Sequence, residues 1–212
     1  MYTPAMFDES RPEALHHFVR QHSLGMLVTH TAEGLGVHHL PFLLGETHAG
    51  GRLLAHVARA NPVWQQCSDG DDVLVVFNGA QGYISPGWYP SKMETHRHVP
   101  TWNYETVHAR GRIHVRDDVT FVRGVVARLT RMHEANEPTP WKMGDAPVDY
   151  LAEELAQIVG IDIELVSLEG KRKLSQNRTP RDFSGVVDAL EVRGCQALAS
   201  AMKAVRDEGP PA

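Results

Sequence analysis

The stretch Val107-His108-Ala109-Arg110-Gly111-Arg112-Ile113-His114-Val115-Arg116 decides the fold class of this chain. Val107, Ala109, Gly111, Ile113 and Val115 fall on one face, and the intervening His and Arg residues fall on the other. Successive side chains of a β-strand point to opposite faces, so this alternation predicts a strand with one face in a core and one in water. A half-exposed strand belongs to an antiparallel sheet, because strands of parallel sheets are buried on both faces and read as unbroken apolar runs.

Further strands lie on both sides of it. Asp72–Phe77 is an apolar, β-branched run and predicts a buried strand. Arg52–Val57 predicts another, and Gly25–His30 and Gly36–Leu44 predict a pair joined by a turn at Thr31–Gly34. On the C-terminal side Ile161–Leu168 alternates again. The helices are marked by their ends. Ser10-Arg11-Pro12-Glu13 has the form of a capping box with Pro in the first turn, and Leu15, Phe18 and Val19 form the apolar stripe behind it. Asn61-Pro62 starts a short helix carrying Trp64. Asp117 or Asp118 caps a helix whose buried face is Phe121, Val122, Val125, Val126, Leu129 and Met132. Val148–Val159 reads as a helix stopped by Gly160, and Val192–Val205 as a last helix after a short one near Asp182–Leu190. Residues 1–206 are expected to form a single domain and 207–212 a disordered tail. The strands cluster without strand–helix–strand alternation, which predicts an α+β or mainly β architecture of barrel type rather than a doubly wound sheet. No GxGxxG or Walker A string is present.

Composition narrows the function classes. With 212 residues, 42% of them apolar, the chain can bury a core. It has no run of about 18 apolar residues and Met1–Ser10 lacks the regions of a signal peptide, so no membrane span and a cytoplasmic location are expected. Cys67 and Cys195 stand far apart and read as free thiols. The net charge of −5 argues against a nucleic-acid binder. Charge is unevenly spread, however: 117–170 holds four Lys/Arg against eleven Asp/Glu, and 171–206 holds eight against three. That basic region either touches DNA phosphates or, as preferred here, combines two ligand-binding lysines with a solvated helix face. Thirteen histidines occur, yet no HExxH or CxxC accompanies them, and no metal centre is expected.

Five segments crowd polar, aromatic and Pro residues outside any regular period: His38–Pro41, His56–Pro62, Tyr83–Lys92, Val99–Tyr104 and Gly170–Arg178. Together they hold what a large anionic aromatic ligand such as FMN needs. A phosphate wants Arg or Lys, hydroxyls and N–H groups. A flat ring wants an apolar wall, and its polar edge wants amides. Arg59, Lys92 and Lys171 or Lys173 supply charge; Trp88 and Trp102 supply walls; Asn61, Asn103, Gln176 and Asn177 supply edges. His39, His56, Ser85 and Thr101 complete the candidate set. Each has a plainer reading, since Trp packs in cores, Asn-Pro starts helices and a lone Arg is usually a surface residue. Their co-occurrence is what points to a ligand.

The chain resembles the PaiB-type FMN-binding proteins, described as negative transcriptional regulators. The markers are Met1-Tyr2-x-Pro4 with Phe7, His39-Leu40-Pro41, His56-Val57-Ala58-Arg59-Ala60-Asn61-Pro62, Tyr83-Ile84-Ser85-Pro86-x-Trp88-Tyr89, Pro100-Thr101-Trp102-Asn103-Tyr104 and Lys173-Leu174-Ser175-Gln176-Asn177. Asn78-Gly79 and Arg172 depart from that pattern, Arg172 standing in place of an aromatic residue. The resemblance implies a six-stranded antiparallel split β-barrel with flanking helices, assembled as a homodimer with FMN at the dimer interface. It also implies that the phosphate lies just after the third strand, at His56 and Arg59 with Asn61 near. Repression of transcription, with DNA as a partner, is the function the family description implies. The alternative is a flavin-dependent oxidoreductase acting on a small molecule or O2, with His39, His56, Tyr89 or Tyr104 as proton donors.

Overall fold

The computed structural model of the chain describes residues 1–45 and 51–208. A two-residue strand β1 (Asp8–Glu9) precedes helix α1 (Pro12–Gln21), which starts at the predicted proline. Strands β2 (Leu24–Thr31) and β3 (Gly34–Pro41) form a hairpin. Gly34 closes it at φ 106, a conformation that glycine adopts without a Cβ penalty. Then come β4 (Leu43–Gly45), β5 (Arg52–Ala58) and the single turn α2 (Val63–Gln66). Next are β6 (Asp72–Ile84), the short α3 (Lys92–Thr95) and β7 (Thr101–Arg116). Helices α4 (Val119–His133) and α5 (Val148–Ala156), strand β8 (Ile158–Lys173) and helices α6 (Pro180–Val192) and α7 (Gln196–Glu208) complete the described chain.

Neighbours in the sheet follow the order β3-β2-β6-β7-β8-β5-β4, with β1 paired to β8. The β1–β8, β2–β3, β2–β6, β4–β5 and β5–β8 pairs are antiparallel. The fold class is the expected one, an α+β split-barrel sheet with flanking helices. The described residues hold eight strands in place of the six expected. The extra ones, β1 and β4, span two and three residues, too short to show a period in sequence.

Several boundaries differ from the sequence reading: β6 runs on to Ile84, β7 starts at Thr101 and β8 spans Ile158–Lys173, so strands extend into segments read as irregular. Helix α5 ends at Ala156 and Gly160 lies inside β8, so this glycine is not a helix stop. A Cβ at 160 would lie 2.6 Å from the Phe121 ring and 2.9 Å from the Arg116 carbonyl oxygen. Glycine is there for close approach of helix and strand. Two C-terminal helices are present as expected, but their border lies further along the chain: α6 runs to Val192 and α7 starts at Gln196, with Gly194 turning the chain between them at φ 74. Asp207 and Glu208 are the last turn of α7 rather than tail, and 209–212 lie outside the described residues.

Contacts divide the chain into two compact units. The first comprises Met1–Leu15, Asn78–Val107 and Glu169–Ala212, as far as they are described. Its core joins Ile84, Tyr89 and Leu174 to Phe183, Val186, Val187 and Leu190 of α6 and Leu198, Ala199 and Met202 of α7. Burying each of the larger of these side chains stabilises the fold by roughly 1.5–3 kcal/mol. A charge cluster sits beside this core. Arg172 donates from Nε to Glu105 Oε1 at 2.9 Å and from Nη1 to Glu208 Oε2 at 2.9 Å, and lies 3.7 Å from Glu9. Arg11 holds Glu9 and Glu208 from outside. Burial pushes the Glu9 carboxyl up, but the hydrogen bonds from Arg11 and the charges of Arg11 and Arg172 bring it below its ordinary value.

The second unit comprises His16–Phe77 and His108–Leu168. Helix α4 is capped by Asp118, whose carboxylate accepts the Phe121 N–H at 2.7 Å. Its Val125 and Leu129 pack on Leu54 of β5, with Leu43, Phe121 and Met132 around them. The buried Asp162 accepts two hydrogen bonds from Arg52, at 2.5 and 2.6 Å, and a third from Arg116 at 3.3 Å. The alternation that defined Val107–Arg116 holds, with Val107, Ala109, Gly111 and Ile113 buried and Arg110, Arg112 and Arg116 exposed.

Candidate functional site

In the second unit, two of the three expected phosphate residues, Arg59 and Asn61, have protein partners. Arg59 at the end of β5 forms a two-point pair with Asp117, at 2.6 and 2.9 Å. Its Nε donates to the Ala156 carbonyl at 2.8 Å, and its guanidinium lies 5.7 Å from the Trp64 ring centre. The Asp117 carboxyl falls below its ordinary value because Arg59 bonds to it. Asn61 Oδ1 accepts the Val63 N–H at 3.0 Å, so it opens α2 as an Asn-Pro start should. His56 pairs across the sheet with Gly160, and its Nδ1 is buried without a hydrogen-bond partner. His39 is exposed on β3, opposite Met26.

Burial pushes the His56 imidazole below its ordinary 6.5, and His38 moves in the same direction for the same reason. A depressed histidine binds its proton more readily in the unfolded chain. Its contribution to stability is therefore complete above pH 6.5 and is lost as the pH falls from there toward the folded value. Urea midpoints of the wild type should drop between pH 7.5 and 5, and His56→Leu should flatten that drop. An equal slope in both proteins removes His56 as its source.

In the first unit, the candidates divide into scaffold and open surface. Ser85 Oγ accepts the Gly87 N–H at 3.2 Å and caps the turn Pro86–Trp88. Trp88 is half-buried, with the Arg193 guanidinium 4.7 Å from its ring centre. Asn103 is buried and bonded to Ser175 Oγ at 3.0 Å and to the Met202 sulfur at 3.4 Å. Gln176 accepts the Leu174 N–H and donates to the Arg172 carbonyl, so it shapes its own loop. Lys92, half-buried, opens α3, and Asn177 is exposed.

Thr101, Trp102 and Lys173 come together. Lys173 Nζ donates to Thr101 Oγ1 at 2.6 Å and to the Trp102 carbonyl at 2.7 Å. Trp102 is 55% exposed and meets Tyr83, 46% exposed, edge to face with ring centres 6.3 Å apart. Both large aromatic rings are left in solvent, and either can offer a flat apolar face to a ring-shaped ligand. Lys171, Tyr104 and Arg178 lie around the same lysine, and the candidate set built from sequence had omitted Tyr83 and Arg178. Both belonged to strings already singled out, but neither residue type marks a ligand contact by itself.

Ser91, His98 and the buried Asp182 form a part-buried hydrogen-bonded group with the composition of a hydrolytic triad but not its order. Ser91 donates from N and Oγ to the Asp182 carboxylate at 3.0 and 2.7 Å, and His98 Nε2 lies 2.8 Å from the same hydroxyl. The carboxylate thus holds the serine instead of orienting the imidazole, so no activated nucleophile results. This network ties the loop after Tyr89 to the N-terminus of α6.

The antiparallel split-barrel sheet with flanking helices carries an exposed aromatic pair, Tyr83 and Trp102, beside the Lys173 ammonium group, a surface suited to a flat anionic ligand. The chain belongs to the family described as "Putative FMN-binding domain", whose model matches residues 1–167, and FMN is its cofactor. It is 31% identical over 192 residues to the Bacillus subtilis protein named "Protease synthase and sporulation protein PAI 2", covering 90% of this chain and 89% of that one. This is the PaiB type that the sequence markers resemble. It is 32% identical to a protein of Emericella nidulans, covering 99% and 98%. Among solved structures it shares its fold with the flavocytochrome of Azotobacter vinelandii at TM-score 0.59 and 12% identity, covering 84% of this chain and 75% of that one. The FAD and heme binding protein of Mycobacterium smegmatis matches at TM-score 0.57 and 14% identity, covering 84% and 78%. Among the described residues no helix is long and apolar enough to cross a membrane, and no group of three or more His, Cys, Asp or Glu is placed to hold a metal ion.

Proposed function

We propose that this chain is an FMN-dependent oxidoreductase acting on a small molecule. The observation that carries this reading is the exposed Tyr83–Trp102 pair with Lys173 fixed beside it. The donor set of the first unit fits a flavin mononucleotide: a flat ring face, an ammonium group, and hydroxyl and backbone groups. When bound, FMN supplies hydride or electron transfer. The chain's own part is binding and placement. Two of the three N–H bonds of Lys173 are committed to Thr101 and Trp102, which leaves one for a ligand and fixes its direction. Reduced flavin bound to this protein should be reoxidised faster than free FMN by at least one acceptor class among quinones, nitroaromatics and O2. Equal rates with every acceptor would end the reading.

Direct repression of transcription is the second reading, and the helix pair α6–α7, joined by a three-residue turn containing Gly194, supports it. Against it, the outward face of α7 offers DNA little positive charge. Lys203 pairs with Glu191 at 2.5 Å, and Arg206 lies over the Phe183 ring. A salt-sensitive gel shift with the purified protein would favour this reading over the first.

The homodimer that the family resemblance implies has a face suited to it. Met26, Val28 and Leu24 of β2, Leu35 and Val37 of β3, and Leu74 and Val76 of β6 share one side of the sheet by register. Leu24, Leu35 and Val37 are 65%, 77% and 55% exposed. Monomers rarely leave such a contiguous patch in water, and β3 ends the strand order among the described residues. A second copy presents the same patch and covers it about a two-fold axis. The protein should elute with twice the 23.6 kDa chain mass, and Val37→Asp should move it to the monomer position. A monomeric wild type contradicts the assembly.

A further inference from the structure

Lys171 and Arg178 both lie near enough to Lys173 to act on its charge, and all three belong to the first unit, just beyond residue 167, where the family match ends. Lys171 is 8% exposed. Its ammonium group donates to the Tyr2 carbonyl at 3.0 Å and sits 5.3 Å from the Tyr104 ring centre and 5.7 Å from that of Tyr2. Arg178 lies with its guanidinium carbon 4.9 Å from the Tyr89 ring centre. Among the described residues none of these three cations is ion-paired to a carboxylate. The nearby acids have other partners: Glu169 bonds the N-terminal ammonium group at 2.6 Å, Glu9, Glu105 and Glu208 hold Arg172, and Asp182 holds Ser91 and Thr179. Burial lowers the Lys173 ammonium below its ordinary value; the Tyr104 phenol opposes this, and the charges of Lys171 and Arg178 add to it. Half-buried like charges repel one another unless an anion neutralises them. Among the described residues every partner they have is neutral, a carbonyl, a hydroxyl or a ring.

We propose that Lys171, Lys173 and Arg178 form a binding site for a dianionic phosphate group on a small molecule whose flat part rests on Tyr83 and Trp102. The site has five guanidinium and six ammonium N–H donors in total, of which three are committed to Tyr2, Thr101 and Trp102. One source of the phosphate is FMN itself, an assignment that rests on the cofactor reading above; the other is a phosphorylated substrate beside the flavin. By contrast, Arg59 is already neutralised by Asp117.

The test compares FMN with riboflavin, which lacks the phosphate, by quenching of flavin fluorescence, and titrates inorganic phosphate into the FMN-loaded protein by calorimetry. Both are run on wild type, Lys173→Gln and Arg178→Gln. If FMN is the source, each substitution lowers FMN affinity about tenfold or more and leaves riboflavin unchanged, and Lys173→Arg restores most of the loss. If a second molecule is the source, FMN affinity holds, but the loaded wild type binds phosphate and the variants do not. Mass-spectrometric acetylation of wild-type lysines provides a readout that needs no variant, since FMN or phosphate should shield Lys173 where riboflavin does not. Folded variants that change neither titration, or a wild type in which neither FMN nor phosphate shields Lys173, would overturn the site. A wild type that takes up no flavin but binds phosphate at Lys173 would refute the cofactor reading and leave this site standing.

Discussion

Arg172→Met should lower the unfolding free energy by about 3–5 kcal/mol, the range for removing one partner of a buried ion pair. Glu105 is 8% exposed and has Arg172 as its charged partner, whereas Glu9 and Glu208 keep Arg11. The substitution therefore leaves one carboxylate buried and unpaired. Burial without a partner disfavours the charged form of a carboxyl, so the penalty is absent where it is protonated and grows as the pH rises through the unfolded value toward the folded one. The penalty measured by urea unfolding should accordingly be larger at pH 7 than at pH 4. Adding Glu105→Leu to Arg172→Met should recover much of the loss, because an apolar pair can replace a buried ionic one. A single variant within 1 kcal/mol of wild type at pH 7, as an order-of-magnitude bound for an exposed pair, would mean the cluster is solvated. Arg172, where the family resemblance implies an aromatic residue, faces three glutamates in this fold.

Gly111→Ala should cost about 3 kcal/mol, at the upper end of overpacking effects. A Cβ at 111 would fall 2.5 Å from the Glu164 carbonyl oxygen and 2.5 Å from Ile163 Cγ2. The first neighbour is backbone in a paired strand and cannot rotate away. Gly124→Ala is the control. It lies within α4 with nothing within 4 Å of its Cβ position, and there alanine should stabilise by up to about 1 kcal/mol. Thermal unfolding of the two variants should move in opposite directions. Equal, small shifts would mean that β7 and β8 pack less closely at this point.

The strand at Val107–Arg116 was legible because one side of it is core and the other is solvent, and that difference writes itself as period two. β8 is longer than Ile161–Leu168 because its first residues look like the end of a helix: Val148–Val159 reads as one helix and Gly160 follows it, whereas the strand already begins at Ile158. The site was legible as segments rather than as contacts. Trp102 and Lys173 were picked out for residue type and do lie side by side. Arg59 and Asn61 were picked out in the same way, yet Asp117 and the Val63 N–H take them, and both of those partners are ordinary residues with no motif of their own. Asn103 and Gln176 carry the polarity expected at a flavin edge but use it to hold Ser175 and the loop after Lys173. Sequence shows which groups can bond; only the fold shows which bonds are already made.

The visible absorption spectrum of the purified protein, before and after incubation with FMN and removal of excess, bears most directly on the flavin. Flavin bands approaching one FMN per chain are the predicted result. A colourless protein that takes up no FMN at any concentration tried would contradict it.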